Sequence, residues 1–226
     1  MELARKSFER VLDLDENNVE ALVGIAILDM NTEVTGNSQN KQQLQIKAMN
    51  NIKKAYEINP NNSMVLNHLA NHFFYRQDYK KVQTLALNAY HNTEVNKIRA
   101  ESCYQIARSY HVLGEYDNAF KYYFQATHNW PEYTLAQFGL GQLHLHKEEF
   151  TKAIQSFELV LRYFPDNFET LRVLGSLYFK LNKKDKAYTY IKRATELRPD
   201  DVETWIELAQ LYEDNYKEAL EGNRYQ

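Results

Sequence analysis

The sequence predicts an all-α fold, a right-handed superhelical solenoid of antiparallel helix pairs. Three observations point to it. The prolines are spaced as helix stops: Pro131, Pro165 and Pro199 lie 34 residues apart, and Pro60, the fourth, also follows a helical pattern. Proline ends a helix because its ring disfavours the α conformation in the residue before it. Breakers are otherwise scarce, with seven glycines in 226 residues, so helices joined by short turns are expected. Small and large apolar residues also recur in phase with the prolines.

The phase is clearest in the units 100–133, 134–167 and 168–201. Position 7 is Ile106, Leu140 and Leu174; position 8 is Ala107, Gly141 and Gly175; position 11 is Tyr110, His144 and Tyr178. Position 20 is Ala119, Ala153 and Ala187; position 24 is Tyr123, Phe157 and Ile191; position 27 is Ala126, Val160 and Ala194. This is the signature of the tetratricopeptide repeat (TPR), a helix-turn-helix unit of 34 residues. Helices A and B of a unit pack antiparallel, and positions 8 and 20 are small because the backbones approach there. The large apolar positions fall at helical spacing, so each unit leaves an apolar face for its neighbour.

Other units depart from the pattern. Unit 63–99 carries three extra residues, 97–99, with Val82 at position 20 and Glu94 at position 32. Unit 19–62 is longer, and its surplus falls in the polar stretch 31–43, which is expected to be an inserted loop. Residues 1–18 read as a lone helix B, with Ala4, Phe8 and Val11. Residues 202–226 read as a partial repeat: helix A through Tyr212, a shortened turn, then the start of helix B. A chain that starts and stops inside a repeat, without a polar capping helix, is expected to be a piece of a longer protein or to contact another chain at its ends.

Composition narrows the function. A net charge of −3, with no basic run of five, disfavours direct binding to nucleic acid. The single cysteine, Cys103, excludes an intrachain disulfide and fits a reducing compartment; at position 4 it reads as a packing residue rather than a nucleophile. No apolar stretch approaches the roughly 18 residues of a membrane span. His68 and His72 lie one turn apart, as zinc ligands can, but no third ligand stands near them and no metal or cofactor is expected. No phosphate loop or paired catalytic carboxylates appear, so an enzyme is not expected.

The positions that the fold does not need carry the functional expectation. Positions 2, 5, 9, 12 and 13 of helix A line the concave groove of a TPR. Here they give Asn67, Asn71, Phe74 and Tyr75; Tyr104, Arg108 and His111; Phe138, Gln142 and His146; and Arg172, Ser176 and Phe179. Aromatic rings supply buried area, and amides and arginines bond a ligand backbone, so a partner protein is the expected occupant. Asn67, Asn71, Tyr104, Arg108, Phe138 and Arg172 are expected to matter most and to face solvent in the free chain. Position 5 reads Val23, Asn67, Tyr104, Phe138, Arg172 and Ile206, without the Lys–Asn pair by which chaperone-binding TPRs clamp a terminal carboxylate.

Several segments resemble the TPR scaffold subunits of the RNA polymerase II-associated factor (Paf) complex: 64–75 (MVLNHLANHFFY), 100–111 (AESCYQIARSYH), 138–142 (FGLGQ), 169–178 (ETLRVLGSLY) and 200–210 (DDVETWIELAQ), with 21–25 (ALVGI) and 91–95 (HNTEV). The resemblance covers nearly the whole chain in order, and LANHFF includes residues the repeat itself does not require. It implies a nuclear scaffold that binds the founding Paf subunit and a parafibromin-type subunit. It also implies association with elongating RNA polymerase II through the complex, in support of histone H2B ubiquitination and H3 methylation. The other reading is a TPR adaptor of a ubiquitin-ligase or chaperone-associated assembly.

Overall fold

A computed structural model of the chain describes residues 2–32 and 38–223, the side chains of 38, 39 and 215–223 excepted. The described residues form twelve α-helices and no strand. The chain divides into two compact units at Trp130–Pro131. The first holds α1 (Glu2–Leu14), α2 (Val19–Asn31), α3 (Ser38–Ile58), α4 (Ser63–Tyr75), α5 (Tyr79–His91), α6 (Asn96–Val112) and α7 (Tyr116–Asn129). The second holds α8 (Thr134–His146), α9 (Phe150–Tyr163), α10 (Phe168–Lys180), α11 (Lys184–Leu197) and α12 (Val202–Asn223). The pairs α2–α3, α4–α5, α6–α7, α8–α9 and α10–α11 are the helix hairpins of a TPR array.

Local chemistry sets the helix ends. The N-caps Asn18, Asn62, Asn167 and Asp201 accept from the backbone N–H groups of Ala21, Val65, Thr170 and Thr204, satisfying donors a helix start otherwise leaves unpaired. Four A helices, α4, α6, α8 and α10, stop by a shared device. Gln77, Gly114, Glu148 and Asn182, all at position 15, adopt positive φ between 55° and 76°. The next N–H then bonds back to the position-11 carbonyl: Asp78 to Phe73, Glu115 to Tyr110, Glu149 to His144 and Lys183 to Tyr178. This is the left-handed helix stop, and the residue that closes it occupies the N-cap position of helix B, where Asp78 alone of the four accepts from a helix N–H.

Packing follows the 34-residue positions. Ala26, Ala48, Ala55, Ala70, Ala89, Ala107, Ala119, Ala126, Ala153, Ala187 and Ala194 are fully buried. A Cβ at Gly141 would lie 2.6 Å from Phe157, and one at Gly175 would collide with the Ile191 side chain. The position-24 side chain of helix B therefore occupies the space a position-8 side chain would take. Unit 63–99 reverses the arrangement: Ala86 is small at position 24, and the larger Val82 at position 20 is fully buried beside Ala70. At the N-terminal end, Phe8 of α1 covers Gly24 of α2, and Arg5 donates to the buried Asp29 at 2.6 Å. Cys103 is buried, and burial pushes its thiol up to about 12, as a packing role requires.

Three expectations are corrected. The stretch 31–43 is not all loop: α2 runs to Asn31 and α3 begins at Ser38, so 38–43 are helical, while 33–37 lie outside the described residues. The exposed polar side chains of 40–43 suit the outer turns of a 21-residue helix. The turn expected inside 202–226 is absent, because α12 continues to Asn223. Its position 15 is Tyr216, a bulky residue that pays heavily for positive φ. Asn67, expected in solvent, is fully buried. The extra residues 97–99 form the first turn of α6 and bring the Ile98 carbonyl and Ser102 over it.

Asn67 donates to the Ile98 carbonyl at 3.3 Å and accepts from the Ser102 hydroxyl at 2.9 Å. Asn67→Ala is expected to destabilise the chain by about 1–3 kcal/mol, the cost of orphaning buried polar groups; urea unfolding checks this, and an unchanged midpoint contradicts the tie. Gly141→Leu and Gly175→Leu are each expected to cost about 1–3 kcal/mol by overpacking. A melting temperature equal to wild type in either variant would contradict the packing described.

Candidate functional site

In the first unit the groove positions of α4 and α6 are tied to one another. Arg108 Nη2 donates to Asn71 Oδ1 at 2.7 Å. Its guanidinium carbon lies 3.9 Å from the ring centre of Phe74, 5.4 Å from Tyr104 and 5.9 Å from Tyr75. A cation over ring faces gains more as water is excluded, and Arg108 is half-buried. Its Nε is buried without a hydrogen-bond partner, so the rings and Asn71 hold the cation together with the charge of Glu101. Burial pushes the Glu101 carboxyl up and Arg108 opposes the rise. Burial likewise raises the Tyr104 phenol, again against Arg108.

The cluster extends to helix B. The Tyr104 and Tyr123 rings are 6.1 Å apart, and His111 lies 5.9 Å from both Tyr116 and Tyr123, with Nδ1 3.4 Å from the Tyr123 hydroxyl. Asn71, Phe74, Tyr104, Arg108 and His111 are thus half-buried, while Tyr75 is 76% exposed. Asn67 is not part of this surface; it is the inter-repeat tie described above. The expectation that these positions all stand free in solvent is corrected, because Arg108 and Asn71 bond each other across adjacent A helices.

The second unit presents different chemistry. Phe138 is half-buried edge-on against Phe157, ring centres 5.3 Å apart, and Phe179 packs against the same core. Gln142 and His146 are exposed. Arg172 donates to Glu203 at 2.8 Å and lies 3.8 Å from Asp201, and the Ser176 hydroxyl donates to Glu207 at 2.8 Å. Glu203 and Glu207 were not among the sequence candidates. Their signal was present: each stands 31 residues beyond its partner, the 34-residue period less three, which is the offset joining neighbouring A helices here.

The first unit therefore offers rings edged by a held cation, and the second an amide and imidazole face bordered by carboxylates. Both suit a polypeptide partner: exposed ring area for apolar side chains, and amides and charges for its backbone and polar groups. Among the described residues no three His, Cys, Asp or Glu side chains are gathered closely enough to hold a metal ion. No helix among them is long and apolar enough to cross a membrane.

Comparison with known proteins follows the same lines. The chain is 39% identical to the protein CTR9 homolog of Arabidopsis thaliana over 93% of its length, and 34% identical to the RNA polymerase-associated protein CTR9 of Caenorhabditis elegans over 94%. It spans only 19% of the length of each. The resemblance to the TPR subunit of the Paf complex is thus carried by the full sequence and not by a few motifs. The fold matches that of PilF from Pseudomonas aeruginosa with a TM-score of 0.70 at 16% identity, covering 94% of this chain and 89% of that one. The family model described as Regulator of microtubule dynamics protein 1-3 matches residues 2–221, and the chain belongs to that family.

Proposed function

We propose that the chain is a protein-interaction scaffold of the Paf complex, acting in the nucleus during RNA polymerase II elongation and the histone modification coupled to it. The observation that carries this reading is identity of 39% and 34% to CTR9 proteins across nearly the whole chain. The proposed partners are the founding Paf subunit and the parafibromin-type subunit, with polymerase reached through the complex and no direct contact to nucleic acid. The geometry supplies a means. Helix ends pinned by caps and left-handed stops, over cores of interlocked side chains, hold groove residues in place, so a partner pays little to order them. A second reading comes from the family description, which names microtubule dynamics.

The test uses the 226-residue chain with purified founding Paf subunit, and microtubules in parallel. Calorimetry is expected to show binding to the Paf subunit and sedimentation none to microtubules; the opposite pair of results would overturn the proposal in favour of the second reading. Gln142→Ala with His146→Ala, at exposed positions, is expected to weaken the Paf subunit at least tenfold with melting unchanged. Tyr104→Ala with Arg108→Ala is expected to weaken it as much and also to lower the melting temperature, since both side chains are half-buried. Wild-type affinity in both variants would place the partner outside these faces.

A further inference from the structure

In the first unit a cavity of about 690 Å³ opens between the end of α2, the length of α3 and the second half of α4. Its apolar lining is Met30, Ile46, Met49 and Tyr75. Ile46 is 56% exposed and Tyr75 76% exposed, an unusual amount of uncovered apolar surface beside one opening. Around it stand the amides of Gln42, Gln45, Asn50 and Asn71, and the basic groups of Lys53, His72 and Arg76, with His68 deeper on α4. Asn71 uses its oxygen to accept from Arg108, which leaves its amide N–H groups for an acceptor.

The charge is one-sided. No Asp or Glu is among the described residues that line the cavity. Lys53, His72 and Arg76 form no ion pair among the described residues. Their fields converge: burial first, then Arg76 and Lys53, hold the His72 imidazole below its ordinary value. Two cationic side chains, Lys53 of α3 and Arg76 at the end of α4, thus face one apolar-floored space beside an imidazole they hold towards its neutral form, in a chain whose net charge is −3. Arg99 and Arg193, by contrast, are matched by Glu94 and Asp166. An unmatched cluster over apolar surface calls for an anion that also carries something apolar.

We propose that this cavity docks an acidic peptide segment of a partner protein, with one apolar side chain seated among Met30, Ile46 and Met49 and its carboxylates facing Lys53 and Arg76. The amides bond the peptide backbone, and methionine, being unbranched and polarisable, adapts to different apolar anchors. Lengthening α3 at its N-terminus carries Gln42 to the rim, which gives the surplus of unit 19–62 a use. The inference does not rest on the Paf reading, and a synthetic probe keeps the two apart.

Fluorescence anisotropy with the full chain tests it. The probe is a labelled 12-residue peptide of Asp and Glu with a single central Leu; companions replace the Leu by Ser, or every acid by Lys. The acidic Leu peptide is expected to bind at least tenfold more tightly than either. Lys53→Glu with Arg76→Glu, both exposed, is expected to weaken it at least tenfold, and Ile46→Asp similarly, with melting unchanged in each. Lys152→Glu with Lys186→Glu, in the second unit, is expected to leave it unaffected. Equal affinity for the acidic and Lys peptides, wild-type binding by the Lys53/Arg76 variant, equal loss in the second-unit variant, or no binding at all would each overturn the proposal.

Discussion

The close approach of helices A and B, with a small residue on one and a large side chain lying over it from the other, is the constraint on which the rest depends. Gly141 beneath Phe157 and Gly175 beneath Ile191 show it at its tightest, where even one added carbon has no room. The constraint acts on the pair and not on either residue. Unit 63–99 demonstrates this, since Ala86 at position 24 is balanced by the larger Val82 at position 20. Interiors pack at crystal density, so volume given up on one helix must be recovered on its partner. Ala209, at position 8 of the last partial repeat, lies along the uninterrupted α12 and is exposed.

Fixed hairpins in turn fix which residues meet between neighbouring A helices. The groove positions are largely engaged already, Asn71 with Arg108 in one unit and Arg172 with Glu203 in the other. Such contacts hold the groove side chains in single conformations before a partner arrives, which lowers the entropy lost on binding. What remains for a partner is ring surface, amides and uncompensated charge.

Most of the fold was legible in the sequence because the repeat states the same physical requirement several times. Four prolines, a run of alanines at positions 20 and 27, and Asn or Asp before four A helices are local signals that survive without tertiary knowledge. The exceptions each needed a contact between elements. Asn67 sits at a groove position by count, yet three residues inserted far along the chain, 97–99, place a helical turn over it. The early start of α3 was hidden because polar residues at an exposed helix end look like a loop when only apolar periodicity is read. The Arg108 cluster was half legible: its residue types were identified as a binding surface, but their engagement with one another depends on the offset between repeats.

A double-mutant cycle at Gly141 and Phe157 tests the central constraint most directly. Unfolding free energies would be measured for wild type, Gly141→Ala, Phe157→Val and the combined variant. If the ring over Gly141 sets the helix spacing, Gly141→Ala is costly alone and cheaper once Phe157 is reduced. The coupling should be at least about 0.5 kcal/mol, within the range for residues in contact. Strict additivity would contradict the account, since it would mean that the small and large positions vary independently and that something else holds the two helices at their distance.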